Sequence, residues 1–402
     1  MLPTLLLVAA LLVPGESARA LNDRGLALLS KEEFDEAIAV LTRAVEASGE
    51  DPVVVRNLSE ARNRRGMDHL EHDRLRKAIV DFDASIRLCP ERPHPWVHLA
   101  YTYLRYRDLV RAQAVLDGAK DWHADEPRLL DVQGALSYRQ DDLPRAIRAF
   151  ERRLKLAPDA AAKESLARAR REHAVSGEFV DRASRDFTVR FLGTRKNLRV
   201  VDDYLEMLQE ARDEICRDLG REPRGRTIVL IYSPTEFQRV TGAHDWVGGQ
   251  YDGRIRLPIE DLARQRRLVP PLARHEFTHR LLDDLAPTAP SWLHEGLAEW
   301  YGRRGEACHD EIRAVARKTR IPRLREVPAS FGAIADPGTV RVLYALSRSF
   351  VAFLREEYGV EPLKELIEQF GAGRDADAAV RRAYGRGLDD VEAIWYRSVI
   401  VR

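Results

Sequence analysis

Residues 272–301, LARHEFTHRLLDDLAPTAPSWLHEGLAEWY, decide how the second half of this chain folds. They contain an H-E-x-x-H pattern that runs from His275 to His279. Two histidines four positions apart lie on one face of an α-helix, so both imidazoles can reach the same point in space. Zn²⁺ binds such nitrogens at about 2.0–2.1 Å, and a catalytic zinc site takes three protein ligands and a water. Glu276 follows the first histidine, where its carboxylate can accept a proton as the metal lowers the pKa of that water towards about 7. The pattern therefore predicts one Zn²⁺ ion and the core of a metal hydrolase.

The residues around this pattern fit a helix that is buried and has defined ends. Leucines at positions 272, 281 and 282 surround Phe277 with helical spacing. Prolines at positions 270 and 271 fit a start signal, and prolines at positions 287 and 290 fit a stop. A lone H-E-x-x-H pattern occurs by chance, and this context makes the helical interpretation more specific.

A second short helical segment, residues 292–301, offers a third ligand. It carries Glu295 and Glu299 four positions apart, so one carboxylate can bind the metal while the other supports a ligand from the same face. The longer pattern H-E-x-x-H-x-x-G-x-x-H would need glycine at position 282 and histidine at position 285, and both are leucine. Cys308-His309 is an alternative ligand source that lies outside any recognised spacing.

The segment 291–300, SWLHEGLAEW, resembles the W-L-x-E-G-x-A-E segment of the peptidase-MA-like gluzincin metallopeptidases. The resemblance covers roughly residues 186–402. It implies the zinc ligands His275, His279 and Glu295, the general base Glu276, and Glu299 as the carboxylate that holds a ligand histidine by its other ring nitrogen. The sequence departs from the aminopeptidase branch because it has no upstream G-x-M-E-N segment, and His294 stands where many gluzincins have asparagine.

One further residue, Tyr344, bears on catalysis. Tyr344 lies in a helical segment, residues 338–358, where members of this family often show Y-x-x-S-x-x-F. A phenol over the zinc would donate a hydrogen bond to the oxyanion of the tetrahedral intermediate, although a core or supporting tyrosine explains the residue nearly as well.

Residues 249–259, GQYDGRIRLPI, predict a strand pair or an edge strand just before the motif helix. In zincin folds such a strand borders the cleft and can pair with an extended substrate. Tyr251, Arg254 and Arg256 are therefore predicted cleft residues, and a solvent-facing strand is the alternative for each.

The first half of the chain repeats itself. Ala78, Ala112 and Ala146 are spaced by the 34 residues typical of tetratricopeptide repeats, and Ala37 occupies the matching place in an earlier unit. Small residues recur twelve positions before these alanines and large ones four positions after, as paired helices require. The pattern resembles about four tetratricopeptide repeats, an α-solenoid whose concave face can bind a protein partner. A scaffold or dimerisation surface is the alternative.

The N-terminus resembles a secretory signal peptide. An apolar run at residues 2–13 is followed by Pro14-Gly15 and the A-x-A pattern Ala18-Arg19-Ala20, although no basic residue precedes the run. The run is short for a membrane span, which needs about 20 apolar residues, so membrane attachment is expected only if this segment is retained. The chain is thus expected to be exported, either periplasmic or secreted.

Composition excludes some partners. The 402 residues include 65 basic and 64 acidic ones without a block of like charge, which argues against a nucleic-acid partner. The length predicts two or three domains. The expected boundaries are a signal peptide at 1–20, repeats at 21–172, a linker at 173–185, a zincin-like α+β catalytic core at 186–305 and a helical C-terminal subdomain at 306–402.

The expected function is an exported zinc endopeptidase whose all-α tetratricopeptide solenoid recruits a protein or peptide substrate. The first alternative is an envelope scaffold or assembly factor in which the zincin domain is catalytically silent. The second is a zinc hydrolase that cleaves another bond, because metal chemistry does not choose the bond by itself.

Overall fold

The computed structural model describes most of the chain. The described residues are 16–72, 74–242, 248–260, 264, 267, 269–302, 309–331, 334 and 336–401. Residues 1–15 of the predicted signal peptide lie outside them, and the A-x-A pattern forms the start of the first helix. Among the described residues no helix is both long and apolar enough to cross a bilayer.

The chain divides into two compact units. The first comprises Met1–Thr102 with Ala114–Glu126, and the second comprises Tyr103–Gln113 with Pro127–Arg402. The first six helices are α1 Ala18–Ser30, α2 Phe34–Ser48, α3 Pro52–Glu71, α4 Leu75–Leu88, α5 Pro93–Arg105 and α6 Leu109–His123. Helix α1 packs on α2 and α3 packs on α4, as helical repeats require.

Small residues bring the paired helices close together, as the repeat pattern predicted. A Cβ atom added to Gly25 would lie 2.5 Å from Cγ of Leu41. One added to Gly66 would lie 2.5 Å from the ring of Phe82. The N-terminal region therefore consists of tetratricopeptide-like helical repeats, which confirms this part of the predicted fold class.

The second unit contains the remaining helices and one sheet. Besides the end of α5 and the start of α6, it contains α7 Pro127–Arg139, α8 Leu143–Leu156 and α9 Ala160–Ser176. The mixed α/β part comprises β1 Phe179–Ala183, β2 Phe187–Leu192, α10 Arg195–Leu198, α11 Val201–Leu219, β3 Thr227–Tyr232, α12 Pro234–Thr241, β4 Gln250–Tyr251 and β5 Ile255–Pro258. The helices that follow are α13 Val269–Leu285, α14 Ser291–Gly302, α15 His309–Ala316, α16 Pro337–Tyr358, α17 Val360–Gly371, α18 Ala376–Tyr384 and α19 Leu388–Trp395, with a short 3₁₀ turn at Leu324–Glu326 and a final π-helical turn at Tyr396–Val401.

The sheet has the strand order β1-β2-β3-β5-β4. The central pairs β2–β3 and β3–β5 are parallel, whereas β1 and β4 are antiparallel edge strands. Strands β4 and β5 form the strand pair expected at residues 249–259. Together with the surrounding helices, this mixed sheet confirms the predicted α+β architecture of the C-terminal region.

The linker predicted at residues 173–185 is corrected by the structure. The segment contains the end of α9 and strand β1, which pairs along its whole length with β2. The residues of β1, FVDRA, do not alternate between apolar and polar, and four of the five are exposed. The strand therefore lacks the pattern by which a half-buried strand is recognised in a sequence. The predicted boundary between residues 305 and 306 falls on residues outside the described ones.

One hydrophobic core holds the motif helix in place. Phe277 of α13 packs against Phe187 of β2 with ring centroids 5.9 Å apart. Trp292 of α14 packs edge-on against Phe350 of α16 at 5.2 Å. The same core includes residues from α15 to the C-terminal turn, such as Ile312. Helix α13 is therefore fixed between the sheet and the C-terminal helices.

A glycine allows α14 to approach α16. A Cβ atom added to Gly296 would lie 2.5 Å from the backbone oxygen of Ser347, which cannot rotate away. We expect Gly296→Ala to lower the free energy of unfolding by about 1–3 kcal/mol through overpacking, as measured by chemical denaturation. Gly177 serves as the control, because it has ordinary helical φ and nothing within 4 Å of its added Cβ. Gly177→Ala should leave stability unchanged or raise it by up to about 1 kcal/mol, and an equal loss in both variants would contradict the close-approach argument.

Candidate metal centre

Two adjacent helices bring three metal-ligating side chains together. Helix α13 supplies His275 and His279, and α14 supplies Glu295. The Nε2 atoms of the two histidines are 3.2 Å apart. The Oε2 atom of Glu295 lies 3.7 Å from Nε2 of His275 and 3.4 Å from Nε2 of His279. All three ligand atoms lie within 4.8 Å of one another, so they converge on one point.

The chemistry of this cluster fits a zinc ion. The Oε2 atom of Glu295 is buried, and the described part of the chain gives it no hydrogen-bond partner. A buried carboxylate oxygen without a partner is costly, and a cation between it and the two imidazoles would satisfy it. Two nitrogens and one carboxylate oxygen with an open fourth position are a ligand set typical of catalytic zinc. The residues present therefore fit the predicted single Zn²⁺.

The electrostatics of the cluster favour positive charge at its centre. Burial acts to lower the pKa of His279, but the nearby Glu295 carboxylate outweighs it and raises this pKa to about 9. Burial acts to raise the pKa of Glu295, but His279 and His275 outweigh it, so this pKa is lowered. The carboxylate thus stays ionised between the two imidazoles and can stabilise a bound cation.

Glu276 occupies the position expected of a general base. Its side chain is buried and lines the same cavity as the ligands. Burial raises the pKa of its carboxyl, which brings it closer to the range in which a group can both accept and return a proton. The chain just before β4 passes very close, because a Cβ atom added to Gly249 would lie 2.5 Å from Oε1 of Glu276.

Glu299 lies behind His275, the first candidate ligand. Its Oε1 atom is 3.4 Å from Nδ1 of His275, the ring nitrogen that faces away from the cluster. Burial acts to lower the pKa of His275, and the interaction with Glu299 outweighs it, so the pKa is raised. Arg348 lies 3.9 Å from the other oxygen of Glu299. Glu299 is therefore placed to set the orientation and tautomer of His275.

We expect Glu299→Gln to weaken zinc binding roughly 10–100-fold, because an amide holds the His275 ring less strongly than a carboxylate does. Competition with a chromogenic zinc chelator would measure this. Glu311→Gln is the matched control, since Glu311 lies on α15 and bonds at 2.6 Å to Arg348 rather than to His275. An equal loss of affinity in both variants would show that Glu299 acts through Arg348 and general packing.

The cluster opens into a cavity of about 920 Å³ that is large enough for a peptide segment. Tyr344 and Tyr251 line this cavity, together with His294. The ring of Tyr344 lies 6.4 Å from that of His275 and packs edge-on against Phe331 at 5.2 Å. Burial raises the pKa of Tyr344, and the neighbouring carboxylates raise it further, so the phenol keeps its proton. Tyr344 is thus available as a hydrogen-bond donor facing the cavity.

Arg254 and Arg256 do not line the cavity, which corrects their prediction as cleft residues. Each side chain is only 1% exposed. Arg254 pairs with Asp141 and lies 3.0 Å from Glu172, which is also 3.1 Å from Arg256. Side chains alternate along a strand, so both arginines of β5 point away from the core face that Ile255 and Leu257 form. Their carboxylate partners come from distant segments that a single sequence does not connect.

Two charged residues that line the cavity were missed by the sequence analysis. Asp283 stands four positions after His279 on α13, so the helical spacing was an available signal. Arg107 comes from the turn between α5 and α6, and no local pattern links it to the motif. The two form an ion pair of 2.8 Å within the second unit.

Comparison with known sequences supports a peptidase-like domain in this region. Residues 254–401 match the profile of the Peptidase MA superfamily. The match includes α13, α14 and α16, which carry the candidate ligands, the candidate base and Tyr344. It begins within the β4–β5 turn, so the matched segment comprises β5 and the described helices from α13 onwards. No curated protein matches the chain.

Solved structures match a part of the chain whose length is close to that of the repeat region. A thermophilic tetratricopeptide-repeat protein of Thermus thermophilus is 17% identical, covering 39% of this chain and 83% of that protein with a TM-score of 0.27. A mutant of MamA is 15% identical, covering 39% of this chain and 88% of its own with a TM-score of 0.29. MamA MSR-1 C2 is 16% identical, and the match covers 39% of this chain and 87% of that protein with a TM-score of 0.29.

Proposed function

We propose that this chain is an exported zinc-dependent endopeptidase. The observation that carries the proposal is the convergence of His275, His279 and Glu295 within 4.8 Å beside the buried carboxylate of Glu276. The match of residues 254–401 to the Peptidase MA superfamily supports peptide bonds as the substrate class. The size and open form of the cavity support an extended peptide segment rather than a single residue.

The residues around the cavity have distinct roles in this reaction. Zn²⁺ held by the two histidines and Glu295 would supply Lewis acidity to the substrate carbonyl and to a water. Glu276 accepts the proton of the attacking water and returns it to the leaving nitrogen. Tyr344, which keeps its proton, donates a hydrogen bond to the developing oxyanion. Glu299 keeps His275 in the tautomer that leaves Nε2 free.

The other parts of the proposal concern the location of the enzyme and the protein that its repeats bind. The helical repeats form a surface of the kind that binds proteins, so we propose that they recruit a protein substrate or partner. The apolar run at residues 2–13 and the A-x-A pattern support export, followed by removal or retention of the N-terminal segment. The balanced charge supports a protein partner over a nucleic acid.

Metal analysis combined with proteolysis tests the central proposal. The purified full chain is expected to contain about one zinc ion and to cleave an unfolded protein substrate. A zinc chelator should abolish cleavage, and added Zn²⁺ should restore it. Cleavage that resists complete zinc removal would overturn the proposal, and so would a chain that binds zinc but cleaves no peptide or protein.

A further inference from the structure

An arginine from the α5–α6 turn lines the same cavity as the candidate metal ligands. Arg107 has a left-handed backbone with φ of 58°, a conformation that a residue with a long side chain rarely adopts. Its side chain is 23% exposed, so the guanidinium is partly open to the cavity. The turn therefore holds a positively charged side chain at the cavity wall in spite of a local conformational cost.

Arg107 is positioned by contacts with α13 and with the β4–β5 hairpin. One terminal nitrogen lies 2.8 Å from Oδ2 of Asp283. The guanidinium lies 5.7 Å from the centre of the Tyr251 ring. A Cβ atom added to Gly253, in the hairpin turn, would lie 3.6 Å from Nη1 of Arg107. These contacts fix the guanidinium while leaving donor capacity, because one carboxylate does not use all five of its N–H groups.

A second guanidinium lies close by. The Cγ atom of Arg139 is 4.0 Å from the same added Cβ of Gly253. Burial, together with the charge of Arg107, lowers the pKa of Arg139 to about 10. Of the nearby carboxylates, Asp252 is bonded to Arg256, which leaves Asp283 as the carboxylate paired with Arg107 among the described residues. Arg107 and Arg139 thus place two positive charges near Asp283, which favours the arrival of a second anion.

The spacing along the edge strand places the Arg107 side chain relative to the scissile bond. Gly249 lies against Glu276, and Tyr251, two residues later, lies against Arg107. A strand advances about 3.4 Å per residue, so the two points are separated by about 7 Å along the strand. A substrate paired with edge strand β4 would therefore present a group two residues from its scissile bond to Arg107.

We propose that Arg107 forms a carboxylate-binding subsite that selects substrates with an acidic group two residues from the scissile bond. The group is either an Asp or Glu side chain or the C-terminal carboxylate of the substrate. A guanidinium binds either one through parallel N–H···O bonds, which a neutral amide cannot replace. This specificity rests on the proposed peptidase function, but the binding it requires does not depend on turnover.

Binding to a variant that does not turn over tests the subsite directly. Full-length Glu276→Gln protein would be titrated calorimetrically with peptide pairs that differ only by Glu or Gln at the second position on either side of the cleavage site. A further pair would differ only by a free or amidated C-terminus. We expect the peptide with the correctly placed carboxylate to bind roughly 10–100-fold more tightly, and Arg107→Gln added to this background to remove the difference. The pair that shows the difference distinguishes a side chain from a chain terminus.

Two further variants keep the test decisive. Arg111→Gln is the matched control, because Arg111 lies in the same segment with its side chain 67% exposed, and this variant should retain the preference. Asp283→Asn releases Arg107 from its partner and should strengthen the preference, a gain that misfolding cannot produce. Equal binding of Glu and Gln peptides, or a preference that survives Arg107→Gln, would overturn the subsite. Selective binding without cleavage by the parent protein would overturn the peptidase and leave the subsite standing.

Discussion

Replacing Glu276 by glutamine is expected to reduce peptide hydrolysis by about 10²–10⁴-fold while zinc content stays at the parent level. The amide has nearly the same shape as the carboxylate but cannot accept the proton of the attacking water. The three ligand side chains are unchanged, so metal binding should persist. Because Glu276 is buried and its pKa is raised by burial, removal of its charge should not destabilise the fold. Cleavage assays beside metal analysis of the same preparation would measure both quantities.

A ligand variant provides the comparison for this experiment. His279→Ala removes one of the three converging groups and should lose both zinc and activity. The contrast separates loss of the base from loss of the metal. Undiminished cleavage by Glu276→Gln would show that another group serves as base. A Glu276→Gln strain that is fully normal in the cell would instead favour a scaffold with a catalytically silent site.

Replacing Glu172 by alanine is expected to lower the free energy of unfolding of the second unit by about 3–5 kcal/mol. Glu172 is 2% exposed and accepts hydrogen bonds from Arg256 at 3.1 Å and from Tyr232 at 3.2 Å. It also lies 3.0 Å from Arg254. Burial acts to lower the pKa of Arg256, and Asp252 and Glu172 outweigh it. Without Glu172, two buried guanidiniums would have to share the remaining carboxylates, which makes the loss large.

A second glutamate on the same helix is the control for that experiment. Glu164 lies on α9 and pairs with Arg171 at 2.7 Å, but its side chain is 67% exposed. Glu164→Ala should change the free energy of unfolding by no more than about 1 kcal/mol, because water replaces an exposed ion pair at little cost. Chemical denaturation followed by circular dichroism would compare the two. Similar effects would show that the buried contacts of Glu172 do not stabilise the second unit.

The buried ion pairs between these helices and β5 also explain why the last three helices of the repeat region belong with the sheet. Helices α7 to α9 lie in the same compact unit as β1–β5. Asp141 follows α7, Glu172 lies on α9, and both bind arginines of β5. The sequence analysis assigned residues 127–172 to the repeats alone, because their helical period and glycine spacing are those of a repeat. Which surface those helices cover is decided by charges that meet only after folding.

Local spacing was sufficient to predict the candidate metal centre. His275 and His279 are one helical turn apart, and so are Glu295 and Glu299, so each pair shares a face wherever the helix lies. The short connection between the two helices limits how far apart these faces can be. The repeats were equally predictable, because small residues recur opposite large ones at a constant period. In both cases the information lies within a few turns of the chain.

The sequence by itself therefore determined the two helices that carry the candidate ligands and the candidate base, and also the repeated helical pairs. What only the tertiary structure decided is the orientation of β5 and the wall of the cavity. Arg254 and Asp141 are 113 positions apart, and Arg107 reaches Asp283 from the repeat end of the chain. A long-range ion pair leaves no periodic trace, because any arginine can pair with any carboxylate that folding brings near. Burial, which selects the partner, is a property of the packed structure rather than of the local sequence.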